Sequence, residues 1–185
     1  MIRTASLIAA TISTGLTAGV FLLYAHTIMP GLRATDDHTF VAAFQSIDRS
    51  IINPWFLAGG FFGAVFFTAL AALLHVGSGR NGALPWILLA LALHVVVVLI
   101  TMAVHLPLND AIKGAGNPDT IDVDSVRQAF NESHWVAWNL VRVVLDLSAF
   151  ALLTVSLVAH GRHASEPSTS AVESGYISAV RAASR

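Results

Sequence analysis

Four long apolar stretches alternate with polar ones along the chain. A helix needs about 20 predominantly apolar residues to cross a hydrocarbon layer of about 30 Å. Between Thr4 and Gly31 the only residue that can carry charge near neutral pH is His26, which predicts a first span over residues 5–29. The next run lies between Arg49 and His75. Asn53-Pro54 opens it as a span over 54–75, because proline suits the first turn of a helix. A third is predicted over 84–106, after a turn-rich stretch, with Pro107 as its stop. The fourth, 135–159, differs from the others in carrying Arg142 and Asp146. The expected fold is all-α: a transmembrane four-helix bundle in residues 1–160, followed by a flexible cytoplasmic tail, 161–185.

The connectors have patterns of their own. Phe40, Phe44, Ile47 and Ile51 recur at i, i+4, i+7 and i+11 behind Asp36 and Asp37, predicting an amphipathic helix in the first outer loop. Residues 109–124 read as turn-rich and acidic, and 125–133 as a helical lead-in to the fourth span.

Composition narrows the class further. Hydrophobic residues make up 55% and charged residues 11%, against about 25% charged in ordinary soluble domains. This excludes a disordered chain, a basic nucleic-acid-binding domain and a conventional water-soluble enzyme. The absence of cysteine removes disulfides, thiolate metal ligands and a cysteine nucleophile. A cleavable signal peptide is disfavoured, since the first apolar run exceeds a signal core and no A-x-A site precedes Pro30. Arg3, Arg80, Arg162, Arg181 and Arg185 lie on one side of the membrane; eight acids share the other with four basic residues. The short Arg80 loop, set against longer outer loops that dilute their positive charges, leads to the expectation of a multi-pass protein of the cell membrane with both termini cytoplasmic. Trp55, Trp86 and Trp135, at predicted span ends, suit an aromatic belt.

Gly15/Gly19 and Gly59/Gly63 form two G-x-x-x-G motifs. They fit close helix packing inside the bundle first, and a homo-oligomer second. In the fourth span His134, Trp138, Arg142 and Asp146 fall every four residues, with Trp135 and Asn139 on the adjoining row. Each charge at such depth costs roughly 2.5–3.5 kcal/mol on insertion scales, so it faces the bundle interior or a wet cavity. A self-neutralising Arg142–Asp146 pair is the bland account, and a functional pocket the other. His26, Asn53, His105, Asn109 and Asp110 fall at the same outer mouth; His94 lies near mid-membrane, and His75, His160 and His163 read as residues of the cytoplasmic interface. No H-x-x-x-H spacing occurs, so a metal would need ligands from separate helices. A glycine-rich phosphate loop, a G-x-S-x-G elbow and H-E-x-x-H are all absent.

Four strings carry a family resemblance: AGVFLLYAHTIMPGL, TFVAAFQSIDRSIINPWF, HLPLND and WVAWNLVRVVLDLSAFALL. The M-P-G-L exit, the F-x-x-x-x-Q-x-I-(N/D)-R-x-I-x-N-P segment, the P-L-N and the W-N-x-x-R stand in order over residues 15–153. The chain resembles the anthrone oxygenase-like family of small four-span membrane proteins. Where members usually have Asn, this chain has His105, and the position of His26 varies; Asn53, Pro107, Asn109, Asn139 and Arg142 match.

The resemblance implies an oxygenase. Fungal members oxidise anthrones to anthraquinones with dioxygen, without a metal or flavin. On that basis Arg142 would stabilise an enolate, with His105 or His26 as base. Asn109 and Asn139 would hydrogen-bond the substrate, Trp138 would stack on it, and Asn53 would complete the binding set. The expected partners are the lipid bilayer and a hydrophobic small molecule, with no nucleic acid and no cofactor. Two rivals remain: a non-catalytic membrane binding or assembly module, and a haem or copper protein ligated by His26, His105 and His134.

Overall fold

The structure, a computed structural model, describes residues 1–76 and 82–165, with side chains up to residue 162. All its regular elements are helical. Four stretches are long and apolar enough to cross a membrane: Ile2–Arg33, Trp55–His75, Leu84–Gly114 and Val123–Arg162. The protein is an all-α, multi-pass membrane protein, as its hydropathy pattern predicts. The Arg80 loop and residues 166–185 of the expected tail lie outside the described residues.

The spans form a ring in which the first packs on the second and fourth, and the third packs on the same two. One half of this bundle is tight because its side chains are small. Ala10, Ala71, Ala72, Ala90 and Ala149 are buried among Leu7, Ile87 and Leu153. Lipid gives helices little hydrophobic reason to associate, so close backbone approach supplies the attraction. In this half His75, the last residue of span two, is buried: its Nδ1 lies 2.6 Å from the Ala71 carbonyl and its Nε2 3.3 Å from His160. The side chain of His163 lies outside the described residues.

The other half widens under a cap. Asp36 caps helix Asp37–Ile51 by accepting from the Thr39 N–H at 2.9 Å, and this bond holds the Asp36 carboxyl below its ordinary pKa. Phe40 and Phe44 point inward and meet Phe130 at 5.8 and 4.6 Å between ring centroids. Gln45 ties the cap helix to the third span, donating to the carbonyls of Ile112 and Gly116. Arg127 donates to Asp37 at 2.8 Å and to the Thr35 carbonyl at 3.0 Å, with its guanidinium 4.3 Å from the centre of the Phe40 ring.

The helices depart from the expected pattern at the prolines and near the fourth span. Span three continues through Pro107 to Gly114, although that proline was expected to stop it. The physical reason is a π-helical turn, Thr101–His105, immediately before it. An interior proline removes an i→i−4 hydrogen bond and clashes with that carbonyl, and a widened turn absorbs both losses. The same device carries span one through Pro30 after a π turn at Tyr24–Ile28, and Pro54 precedes a third at Trp55–Phe61. Residues 109–114 are therefore helical rather than turns. The lead-in is a separate helix, Val123–Phe130, broken from Glu132–Ser165 by Asn131 in the left-handed region at φ 51°.

Each G-x-x-x-G motif holds one glycine pressed against a neighbour and one in open space. A Cβ at Gly15 would meet the Phe150 ring at 3.1 Å, whereas Gly19 and Gly59 have nothing within 4 Å. A Cβ at Gly63 would run into the Ala58 carbonyl oxygen of the π turn and lie 3.2 Å from Ser13 Oγ of span one. Gly63→Ala is therefore expected to destabilise the bundle by about 1–3 kcal/mol, as overpacking does. Gly19→Ala should be neutral or slightly stabilising, because alanine is the better helix former. Unfolding midpoints in detergent check the pair.

Candidate functional site

The fourth span carries a cation into the bundle. Arg142 is ten residues on from Glu132, about 15 Å along the helix at 1.5 Å per residue. It is 4% exposed. Its Nη1 donates to Thr101 Oγ1 at 3.2 Å, its Nη2 donates to Asn139 Oδ1 at 2.9 Å, and its Nε has no partner. The guanidinium carbon lies 4.1 Å from the centre of the Phe21 ring and 5.9 Å from that of Trp135. Asn139 in turn donates to the Phe21 carbonyl at 3.0 Å. Asn139 thus positions Arg142 from behind.

The inward row differs from the four-residue stripe read in the sequence. Trp135, Asn139, Arg142 and Asp146 are buried, while His134 and Trp138 are exposed. Helical pitch explains it. Three successive four-residue steps advance the side chain by about 120°, whereas eleven residues return it to within about 20° of its start.

Asp146 does not pair with Arg142. Its Oδ1 lies 3.3 Å from His94 Nδ1, and His94 Nε2 lies 3.1 Å from Thr14 Oγ1. Thr14 Oγ1 also lies 2.7 Å from the Ala10 carbonyl oxygen. No carboxylate lies within ion-pair distance of Arg142 among the described residues. The self-neutralising pair expected as the bland account is absent.

Beside Arg142 a cavity of about 170 Å³ opens under the cap. All three π turns contribute to its wall: Tyr24 from the first, Phe56 and Phe61 from the second, Thr101 and His105 from the third. Such turns recur at functional sites because they re-aim side chains within a helix. His105 is 1% exposed, its ring lies 5.0 Å from that of Trp135, and neither ring nitrogen has a hydrogen-bond partner. A polar chain crosses the cap side. Lys113 donates to Asp48 Oδ2 at 2.9 Å, Asn109 donates to Asp48 Oδ1 at 2.7 Å, and Trp135 Nε1 donates to Asn109 Oδ1 at 2.8 Å.

Of the residues singled out in the sequence, Arg142, His105 and Asn109 meet in this cavity, with Asn139 behind Arg142. The remainder lie elsewhere. His26 is exposed and bonded to Thr27; Trp138 is exposed beside His134. Asn53 caps the second span, accepting from the Phe56 N–H and donating to the Ser50 carbonyl. The histidine set His26, His105 and His134 does not assemble, since two of the three face outward while His105 is buried. No cluster of three potential ligands occurs among the described residues.

Sequence reasoning missed Asp48, Lys113, Tyr24 and Trp135 as cavity residues. Asp48 carried a signal: it stands four residues beyond Phe44 on the buried side of an amphipathic helix, at the N/D position of the motif. Trp135 had the buried spacing but was read as a belt residue; Trp55, 87% exposed, and Trp86 fit that role.

A family model described as anthrone oxygenase matches residues 54–152, just over half of the chain. The match takes in His105, Asn109 and Arg142 and leaves out Tyr24 and Asp48. No curated protein and no solved structure matches the chain.

The Lys113–Asp48–Asn109–Trp135 chain gives a prediction of its own. Asp48→Ala should destabilise the cap by about 1.5–3 kcal/mol, the scale of one hydrogen bond to a charged group. Trp135 emission should shift to the red as its Asn109 partner loosens. Asp48→Asn, which still accepts from Lys113, should recover part of the loss. Unfolding midpoints and fluorescence spectra of the two variants check this.

Proposed function

The chain belongs to the anthrone oxygenase family, and from that premise we propose that it oxygenates a reduced aromatic, anthrone-type carbon acid in the cavity beside Arg142, with no bound cofactor. The observation that carries this reading is the unpaired guanidinium, held in place by Thr101 and Asn139 at the wall of an apolar cavity. A buried donor already fixed in position stabilises charge that develops in the transition state without reorganising.

An anthrone owes its acidity to the aromatic enolate left behind when a ring-flanked CH2 loses a proton. His105 is the base in this scheme. Asp48 is the poorer candidate, because both its oxygens already accept from cationic or amide donors. Loss of the proton puts negative charge on the substrate oxygen, where Arg142 receives it. The electron-rich anion then reduces dioxygen, and a carbon–oxygen bond forms to give a peroxide anion. Protonated His105 returns its proton to the distal oxygen. Loss of the second C–H proton with departure of hydroxide leaves a carbonyl and water. In sum CH2 and O2 become C=O and H2O, with no external reductant.

Oxygen uptake by purified protein in nanodiscs, with anthrone as substrate, tests the reading. Arg142→Ala should lower kcat by about 10²–10³, the loss seen on removing one oxyanion donor. His105→Ala should lower it by about 10²–10⁴, the range for a general base. His26→Ala should leave it unchanged. Anthrone binding without oxygen uptake in the wild-type protein would reduce the reading to a hydrophobe-binding module.

A further inference from the structure

The cavity has a thin side. Ile52, Phe62, Met102 and Leu106 all border it, yet they are 54%, 51%, 57% and 43% exposed. Phe62 belongs to span two, Met102 and Leu106 to span three, and Ile52 to the turn leading into span two. The π turn Trp55–Phe61 packs on span one, while the π turn Thr101–His105 packs on span four. The two spans, in contact along their Ala-rich halves, thus part company beside the cavity. Elsewhere the wall is buried at Phe21, Tyr24, His105, Trp135 and Arg142, and on the cap side it includes Asp48 and the part-exposed Lys113. Phe62, Met102 and Leu106 lie within stretches apolar and long enough to cross a membrane, where an exposed apolar side chain meets acyl chains, and Ile52 lies just outside, beside the belt residue Trp55.

We propose that the gap between spans two and three is a lateral doorway, through which a membrane-dissolved, apolar polycyclic ligand passes from the bilayer into the cavity. The four side chains at its edge are aliphatic or aromatic and carry no charge that would strip or repel such a ligand. The size of the cavity agrees. About 170 Å³ is less than the roughly 300–1,000 Å³ of sites that enclose a drug-sized ligand, so a tricyclic ring system extends into the gap while its polar end reaches Arg142. Only the identity of the ligand rests on the oxygenase reading; the doorway rests on the geometry.

The experiment uses Trp135 as a sensor, since it is 3% exposed and sits beside the cavity. The variant W55F/W86F/W138F keeps it as the one tryptophan of the chain. In nanodiscs of phosphatidylcholine brominated on its acyl chains, Trp135 emission should be quenched relative to ordinary phosphatidylcholine. Adding Met102→Phe and Leu106→Phe to narrow the gap should reverse the quenching, whereas Leu140→Phe on the lipid-facing side of the fourth span should not. In the otherwise wild-type chain the same narrowing should lower kcat/KM for anthrone about tenfold, as slower entry does, with a smaller change in kcat. Equal emission in both lipids, or quenching untouched by the narrowing, overturns the doorway. Quenching without any turnover keeps the doorway and removes the oxygenase reading; turnover without quenching does the reverse.

Discussion

The structure depends on holding one guanidinium inside a bundle of apolar helices. At roughly 2.5–3.5 kcal/mol on insertion scales, Arg142 is a burden the fold would shed if it only had to span a membrane. What offsets the cost is specific and local: two hydrogen bonds that Arg142 donates to Thr101 and Asn139, and the faces of Phe21 and Trp135. A cation over an aromatic face gains about 2 kcal/mol or more when desolvated. None of these partners neutralises it. The carboxylate one turn away is bound up with His94, so the positive charge remains available to whatever enters the cavity.

The cavity follows from the backbone as much as from side chains. Small alanines draw the spans together in one half. In the other half three helices each contain a wide turn, and each of these turns lies next to a proline. The wide turns aim Tyr24, Phe61, Thr101 and His105 inward at the level of Arg142. The cap helix then closes the end with phenylalanines, and it brings Asp48 to organise Asn109, Lys113 and, through Asn109, Trp135.

Architecture was the more legible part of the sequence, because it is written in run length and period. Uncharged stretches of about 20 residues admit one structure in lipid, and the spacing of Phe40, Phe44, Ile47 and Ile51 shows which face of the cap helix turns inward. Pro107 misled because a proline alone signals a stop; the wide turn that tolerates it depends on neighbouring helices. Arg142 was legible as a costly charge, and His105 and Asn109 as polar groups at the same mouth. Trp138 was misassigned because a four-residue step drifts round the helix, so the buried row ran through Trp135 and Asn139 instead. Asp48 stood on the inward side of the cap helix, but its partners Lys113 and Asn109 come from a distant span and show only in the tertiary packing.

The most direct test of the account is a structure of the protein with an anthrone-type ligand bound. The account predicts the ring system beside Phe21 and Trp135, with its carbonyl oxygen about 2.7–3.1 Å from the Arg142 guanidinium, the range for an oxyanion donor. A ligand oxygen directed at Lys113 instead, or a guanidinium withdrawn from the cavity onto Asp146, would contradict it.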